Sequence, residues 1–180
     1  MPETEDSAKF AGQVDGYDRL WVPHRMTYVA GPNRPKDQGE HDCPFCAAPG
    51  QDDEVALVVA RGERVFALLN LYPYNSGHVL ICPYRHVPDL TDLTTDEANE
   101  LMAFSQQAVK ALQATRQPQG FNLGLNLGAV AGAGLAAHLH LHVVPRWRGD
   151  ANFMPIVAQV RALPELLGTT REALAREWGA

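Results

Sequence analysis

Three histidines alternate with apolar residues in His138-Leu139-His140-Leu141-His142-Val143-Val144-Pro145. On a strand, successive side chains point to opposite faces. Leu139, Leu141 and Val143 then enter a core, and three imidazoles line the other face. Side chains two apart on one face sit roughly 7 Å apart. Neighbouring rings at that spacing can converge on one phosphate or share its surroundings with a metal. Isolated histidines are mostly structural or surface residues. Three in strict alternation, internal to the chain, are neither a tag nor a chance surface run. A neutral imidazole is a competent nucleophile near pH 7, and its cation is a phosphate donor. Phosphoryl transfer needs mainly positioning and charge stabilisation. Just upstream, Ala131-Gly132-Ala133-Gly134-Leu135 is small enough for backbone N–H groups to approach a phosphate.

A second group of candidate ligands is Cys43-Pro-Phe-Cys46. The spacing is that of a zinc knuckle, which needs two more ligands. The rival readings are a redox pair and simple thiols. A redox pair wants a helix starting at the cysteines, and Ala47-Ala48-Pro49-Gly50 breaks one.

Other polar residues carry less. Arg85, Arg146 and Arg148 are candidate phosphate contacts or solvated surface arginines. His24 reads as packing. His41 reads as a loop residue near enough to Cys43 to substitute as a ligand. Asp96, Glu97 and Glu172 read as helix-start charges, and Cys82 as core.

These side chains need elements to hold them. Glu54–Ala60 and Arg64–Leu69 read as a hairpin around Arg61-Gly62-Glu63. Val79–Cys82 is a short strand stopped by Pro83. Thr94 and Glu97 form a capping box. Ala98, Leu101, Met102, Ser105, Ala108, Val109 and Leu112 then follow at helical spacing, until Pro118 and Gly120. Phe121–Leu127 alternates, with Phe121, Leu123, Leu125 and Leu127 on one face. A last amphipathic helix, capped by Thr169 and Glu172, runs to about Trp178. Five strands and one long helix imply an antiparallel sheet of α+β class. Residues 1–16 read as a polar, disordered tail, and 17–180 as one domain whose segment Tyr17–Val29 supplies aromatic anchors.

The 180 residues are 46% apolar and 20% charged, with a formal net charge of −6. An acidic domain makes a poor general nucleic-acid binder, because neutralising a phosphate backbone needs a basic face. A single nucleotide needs only a few local donors. No apolar run approaches a membrane span. The acidic start lacks signal-peptide features, and three cysteines make no disulfide framework. The expected location is the cytoplasm.

The triad resembles the signature of the histidine-triad (HIT) superfamily. Asn70 through Pro83, with its Gly77-His78 pair, resembles that family's second motif. From Leu20-Trp21 onward the chain resembles a bacterial branch of diadenosine tetraphosphate phosphorylases or hydrolases, above all over Gly132–Pro155. The resemblance implies the HIT α+β fold: a five-stranded antiparallel sheet, a long helix and a C-terminal helical extension. It implies His140 as the nucleophile that forms a nucleotidyl-histidine, His142 on the reacting phosphate, and His138 and His78 in support.

The same resemblance places Asn70 at a ribose hydroxyl, Asn126 near the reacting phosphate, and Trp147 beside the bound nucleotide. Relatives carry Gln and Ser or Thr in the loop before the triad. Here Ala133 and Gly134 leave only main-chain donors for a phosphate. Some relatives complete a zinc site with residues matching His86 and His138, which would give Cys43, Cys46, His86 and His138 around a structural zinc. Relatives assemble as dimers, and this branch as dimers or tetramers. Phosphate or water as acceptor, a phosphoramidase activity, and a regulator without catalysis remain the alternatives.

Overall fold

The computed structural model describes residues 39–150 and 165–179. The expected tail 1–16, the segment Tyr17–Val29 with His24, and 151–164 lie outside these residues. The sheet contains β1 (Val58–Arg61), β2 (Val65–Leu69), β3 (Val79–Pro83), β4 (Gly120–Leu125) and β5 (Leu141–Arg146). Their order is β1-β2-β3-β5-β4, and every neighbouring pair is antiparallel. The helices are α1 (Pro44–Ala47), α2 (Thr95–Arg116) and α3 (Leu167–Glu177). This is the expected α+β architecture.

Period-two alternation sorts the central strands between two cores. Val65, Ala67 and Leu69 of β2, Val79 and Ile81 of β3, and Leu141 and Val143 of β5 share one cluster. Leu101, Phe104, Ala108 and Leu112 of α2 and Leu174 of α3 belong to the same cluster. Phe66, Leu68, Leu80 and Cys82 face the other way, where they meet Cys43, Phe45 and Ala48. Since Leu141 and Val143 take the helix side, His140 and His142 fall on the face opposite the helices. Burial of this much aliphatic surface dominates the stability of the sheet.

The capping box forms as expected. Glu97 N–H donates to Thr94 Oγ1 (3.2 Å), and Thr94 N–H donates to Glu97 Oε2 (2.8 Å). The Glu97 carboxylate also accepts from Arg85 Nε and Nη2 (2.7 and 2.6 Å). That guanidinium, with the cap bonds, holds the carboxyl down to about 2. The bond ties the start of α2 to the chain leaving β3. The helix closes with Gln117 in the left-handed region (φ 48°), the conformation of many helix ends. The Gly77-His78 pair also has a packing reason. Gly77 has φ +77°, and a Cβ there would sit 2.8 Å from Leu112 Cδ2.

Several element boundaries differ from expectation. β1 begins at Val58 rather than Glu54, because the preceding residues form a turn in which Val58 N–H bonds to Asp53 O (2.8 Å). β5 begins at Leu141 rather than His138. The β3 partner ends at Pro83, which has no N–H to offer a ladder, and Leu139 N–H bonds to Val87 O instead (2.7 Å). β4 stops at Leu125, leaving Leu127 outside it. The last helix begins at Leu167 without a side-chain cap, so Thr169 lies inside its first turn. Thr170 Oγ1 donates there to Leu166 O (3.1 Å). Packing of Leu174, Leu167 and Trp178 on the core set that frame, and the capping pattern did not.

Met102 is also displaced from its expected place. It is 53% exposed, beside Leu123 of the edge strand at 47%. Both residues lie along one groove that Val109 and Gln106 help to line.

Candidate active site

The entry to β5 and the turn before β3 bring the histidines together. His140 is buried, and its Nδ1 lies 2.8 Å from the His138 carbonyl oxygen. A carbonyl only accepts, so Nδ1 carries the proton and Nε2 carries the lone pair. Phe45 packs on this ring, 5.0 Å between centroids, and on the His138 ring at 5.5 Å. Burial pushes the His140 pKa below the usual imidazole value, which keeps the ring neutral and nucleophilic near pH 7.

His142 packs edge-on against His140, with centroids 4.9 Å apart. Its Nδ1 is 2.9 Å from His78 Nε2, and its Nε2 is 3.3 Å from the Asn126 amide. Tyr74 stacks on the His142 ring at 5.6 Å, with 14° between planes. Burial, and then the neighbouring His140, lower the His142 pKa to about 4.

His78 is fully buried. Its Nδ1 accepts from Tyr74 N–H (3.0 Å) and lies 3.3 Å from Asn70 Nδ2. Asn70 Oδ1 accepts from Tyr72 N–H (2.9 Å). By residue type alone, Tyr72-Pro73-Tyr74-Asn75-Ser76-Gly77 reads only as a turn cluster. That reading misses the roles of the Tyr74 N–H and ring, although aromatics flanking Pro73, three residues after Asn70, were a usable signal.

The loop before the triad contains a short 3-10 turn, Ala129–Ala131, and left-handed Gly132 (φ 93°). Ala133 is buried. At the far end of β5, Asp150 accepts from Arg146 Nε (2.6 Å), Arg146 Nη2 (2.9 Å), Asn75 Nδ2 (2.7 Å) and Trp147 N–H (3.1 Å). The turn carrying Trp147 is thereby tied to the loop that carries Tyr74. Arg146 is spent on Asp150 and Asn122, and Arg85 on Glu97 and the Asp92 carbonyl. Two of the three candidate phosphate arginines therefore serve as ties within the fold.

Cys43, Cys46, His86 and His138 converge, with one ligand atom from each lying within 4.8 Å of the others. His138 Nδ1 is 3.3 Å from Cys43 Sγ and 3.4 Å from Cys46 Sγ. His86 Nδ1 is 3.2 Å from Cys46 Sγ. Bonds of about 2.3 Å to sulfur and 2.0–2.1 Å to nitrogen give a tetrahedron with S–N edges of roughly 3.5 Å. The donor set therefore fits a closed four-coordinate ion. His138 Nε2 lies 2.9 Å from Pro83 O and must carry the proton, so Nδ1 turns a lone pair to the sulfurs. Cys43 caps α1, but that helix spans only four residues. His41 is outside the cluster.

His138 thus holds two places, with its ring in the Cys2His2 cluster and its carbonyl on His140. Cys82 is buried at the edge of this region, and burial raises its thiol pKa well above the ordinary value.

Comparison with known proteins gives concordant matches. The HIT domain family matches residues 52–149. The chain is 51% identical over 181 residues to the AP-4-A phosphorylase of Mycobacterium tuberculosis strain H37Rv, covering 97% of this chain and 93% of that protein. It is 36% identical over 88 residues to the bis(5'-adenosyl)-triphosphatase of Dictyostelium discoideum, covering 49% and 58%. Among solved structures, a Zn-bound histidine triad family protein from Mycobacterium smegmatis superposes with a TM-score of 0.60 at 30% identity, covering 77% of this chain and 96% of that one.

Proposed function

The chain belongs to the HIT domain family, and from that premise we propose that it degrades diadenosine tetraphosphate by phosphorolysis to ATP and ADP, through a nucleotidyl group carried on His140. The observation that carries the reaction type is the His140 ring, neutral and held by the His138 carbonyl with Nε2 as its lone-pair nitrogen. Likeness to the AP-4-A phosphorylase over nearly the whole chain supports the substrate.

The reaction has two displacements. His140 Nε2 attacks the α-phosphorus, forming a P–N bond. The bond to the bridging oxygen breaks, and ATP leaves with the electron pair. An oxygen of inorganic phosphate then attacks the same phosphorus, the P–N bond breaks, and ADP departs. His142 and Asn126 face the reacting phosphate, and the main-chain N–H groups of Ala133 and Gly134 neutralise charge on its oxygens. Trp147 packs beside the base. Asn70 Oδ1 keeps a second lone pair for a ribose hydroxyl.

Cys43, Cys46, His86 and His138 would hold a zinc ion. Its contribution is structural, since a set of four protein ligands leaves no open position for a reactant. The His138 ring is committed to that cluster, so His138 serves the chemistry through its carbonyl. Among the described residues no helix is long and apolar enough to cross a membrane, and no disulfide joins Cys43, Cys46 or Cys82. Both agree with a cytoplasmic enzyme.

Incubation with diadenosine tetraphosphate, followed by anion-exchange analysis, tests the reaction. ATP and ADP appearing only with inorganic phosphate is the expected result. ATP with AMP in its absence would make the enzyme a hydrolase. No cleavage in either condition would remove this substrate and direct attention to phosphoramidates.

We also place a homodimer contact on the groove between α2 and β4. Among the described residues β4 is an edge strand with one unpaired side, a template for another chain. Met102 and Leu123 put apolar surface beside it. A Met102→Glu, Leu123→Glu double variant should elute as a monomer in light scattering where the parent is a dimer or tetramer. An unchanged mass would move the contact elsewhere.

A further inference from the structure

We propose that Asp150 is a positioning residue of the site: its carboxylate, by holding Asn75, keeps the Tyr74 ring stacked on His142. The consequence for turnover rests on the reading of His142 as a contact of the reacting phosphate. The placement of the ring does not, and it is measurable without substrate.

Directly after β5 the chain turns back on itself over Trp147-Arg148-Gly149-Asp150. Asp150 N–H donates to Trp147 O (3.2 Å), and Gly149 takes the left-handed position of the turn (φ +78°), a position that favours glycine. Trp147 N–H donates back to Asp150 Oδ2 (3.1 Å). The turn is closed from both ends, which fixes the direction of the carboxylate. Arg146 Nε and Nη2 grip its two oxygens at 2.6 and 2.9 Å. Two-point pairs of this kind are among the strong hydrogen bonds, and the carboxylate is only 9% exposed. Arg146 also reaches Asn122 of β4 (2.7 Å), so the anchor belongs to the sheet.

The anchor holds Asn75. Its Nδ2 donates to Asp150 Oδ2 (2.7 Å) and to Pro145 O (3.1 Å), which commits both amide hydrogens to the end of β5. Asn75 O accepts from His78 N–H (3.2 Å). Asn75 is thus tied through its side chain to Asp150 and through its main chain to the turn into β3. Tyr74 is the residue before it. The Tyr74 ring lies 4.7 Å from the His78 ring and 5.6 Å from the His142 ring, with 14° between planes in the second pair. A ring that is 48% exposed has little core around it to set its angle. Its position therefore depends on the backbone that carries it.

His142 is the ring that this arrangement steadies. Tyr74 covers one of its faces, and His140 meets it edge-on at 4.9 Å. Offset stacking at such separations is favourable and directional. When Asn75 loosens, Tyr74 slides off His142, and His142 loses its aim. A shift of about 1 Å, caused far from the chemistry, can cost on the order of 10²-fold in rate.

The carboxylate offers a graded test. Oδ2 receives Asn75, Trp147 N–H and Arg146 Nε, whereas among the described residues Oδ1 receives Arg146 Nη2 alone. Asp150→Asn can set its oxygen in place of Oδ2, keeping Asn75 and Trp147 and giving up one bond to Arg146. Asp150→Ala keeps none of them. Asp150 belongs to neither apolar cluster, and Arg146 is exposed and turns its charge to water, so both variants retain the core.

Proton NMR of the histidine rings reads the placement without any turnover. Tyr74→Leu keeps the main-chain N–H and removes the ring, which defines the His142 signals without the Tyr74 ring current. Asp150→Ala should move the His142 carbon-bound protons towards those values, and Asp150→Asn should leave them near wild type. His142 signals that stay at wild type in Asp150→Ala overturn the proposal, whether or not the enzyme cleaves diadenosine tetraphosphate.

Kinetics carries the test to the reaction. Asp150→Ala should lower kcat by ~10–100-fold with KM within about threefold, while Asp150→Asn should keep kcat within about threefold of wild type. In a Tyr74→Leu background, Asp150→Ala should cost kcat little more, because both changes act through one ring. Costs that multiply in the double variant, or a loss confined to Tm or to KM, overturn the positioning role. A wild-type enzyme that leaves diadenosine tetraphosphate intact would remove the substrate reading, and the ring signals would still decide the placement.

Discussion

His140→Ala is expected to lower the turnover of diadenosine tetraphosphate by a factor on the order of 10⁴ or more, the scale seen when a covalent nucleophile is removed from an enzyme, while the variant still binds the nucleotide. The magnitude follows from what the ring does. In the proposed reaction it forms the bond to phosphorus, and its Nδ1 is already engaged by the His138 carbonyl. Among the described residues neither triad neighbour stands in for it, because His142 Nδ1 faces His78 and the His138 ring faces the cysteines. His142→Ala removes a hydrogen-bond donor and is expected to cost less, about 10²–10³-fold. Mass spectrometry of the quenched wild-type enzyme should find the nucleotidyl group on His140. Full activity in His140→Ala, or a nucleotide trapped on another residue, removes His140 as nucleophile. Retained binding with lost turnover also separates an enzyme from a nucleotide-binding regulator.

The alternation of His138 through Val144 was readable because it reports only which face a side chain takes, and one buried face of a sheet enforces that strictly. It fixed Leu141 and Val143 as core. It did not show that His138 leaves the ladder, because that depends on Pro83 across the strand gap and on the chain turning back to offer the Val87 carbonyl. The cluster of four candidate metal ligands was legible only with the family resemblance in hand, since Cys46 lies 92 residues from His138 and spacing alone joins no such pair.

Two further features were out of reach for a related reason. The capping pattern at Thr169 was present in sequence, but Leu174 and Trp178 docked on the core and set the helix frame upstream of it. Met102 has helical spacing with the core residues of α2, yet it stands at the side of the stripe where the edge strand ends the sheet's cover. Part of the role of Tyr74 comes from its main-chain N–H, and main-chain geometry leaves no mark on residue type.

Removal of the metal is expected to have the largest effect on stability. Protein purified without chelator should carry about one zinc per chain. Stripping it, or making Cys43→Ser, should lower the Tm by ~10 °C or more. Zinc binding by small four-ligand sites is worth about 10–16 kcal/mol near pH 7, and all of it counts towards the folded state that binds the ion. Only part of it need appear as lost stability for that shift, since about 1 kcal/mol moves the Tm by roughly 2–4 °C in a domain of this size. The helix-side core, which contains none of the four ligands, should hold the sheet together in the stripped protein.

The damage is local to α1, to Phe45 on the two triad rings, and to the His138 peptide. Because that peptide's carbonyl orients His140, kcat should fall along with the Tm, and both should recover on adding zinc. His86→Ala tests the same site from its exposed side. Less than about half an equivalent of zinc in the purified protein, together with an unaltered Tm in His86→Ala, would remove the metal. A reversible Cys43–Cys46 disulfide with the histidines indifferent would install the redox reading instead. The geometry opposes that outcome, because the His138 ring is fixed by Pro83 O with its lone pair aimed at both sulfurs, an arrangement a dithiol does not require and a tetrahedral ion does.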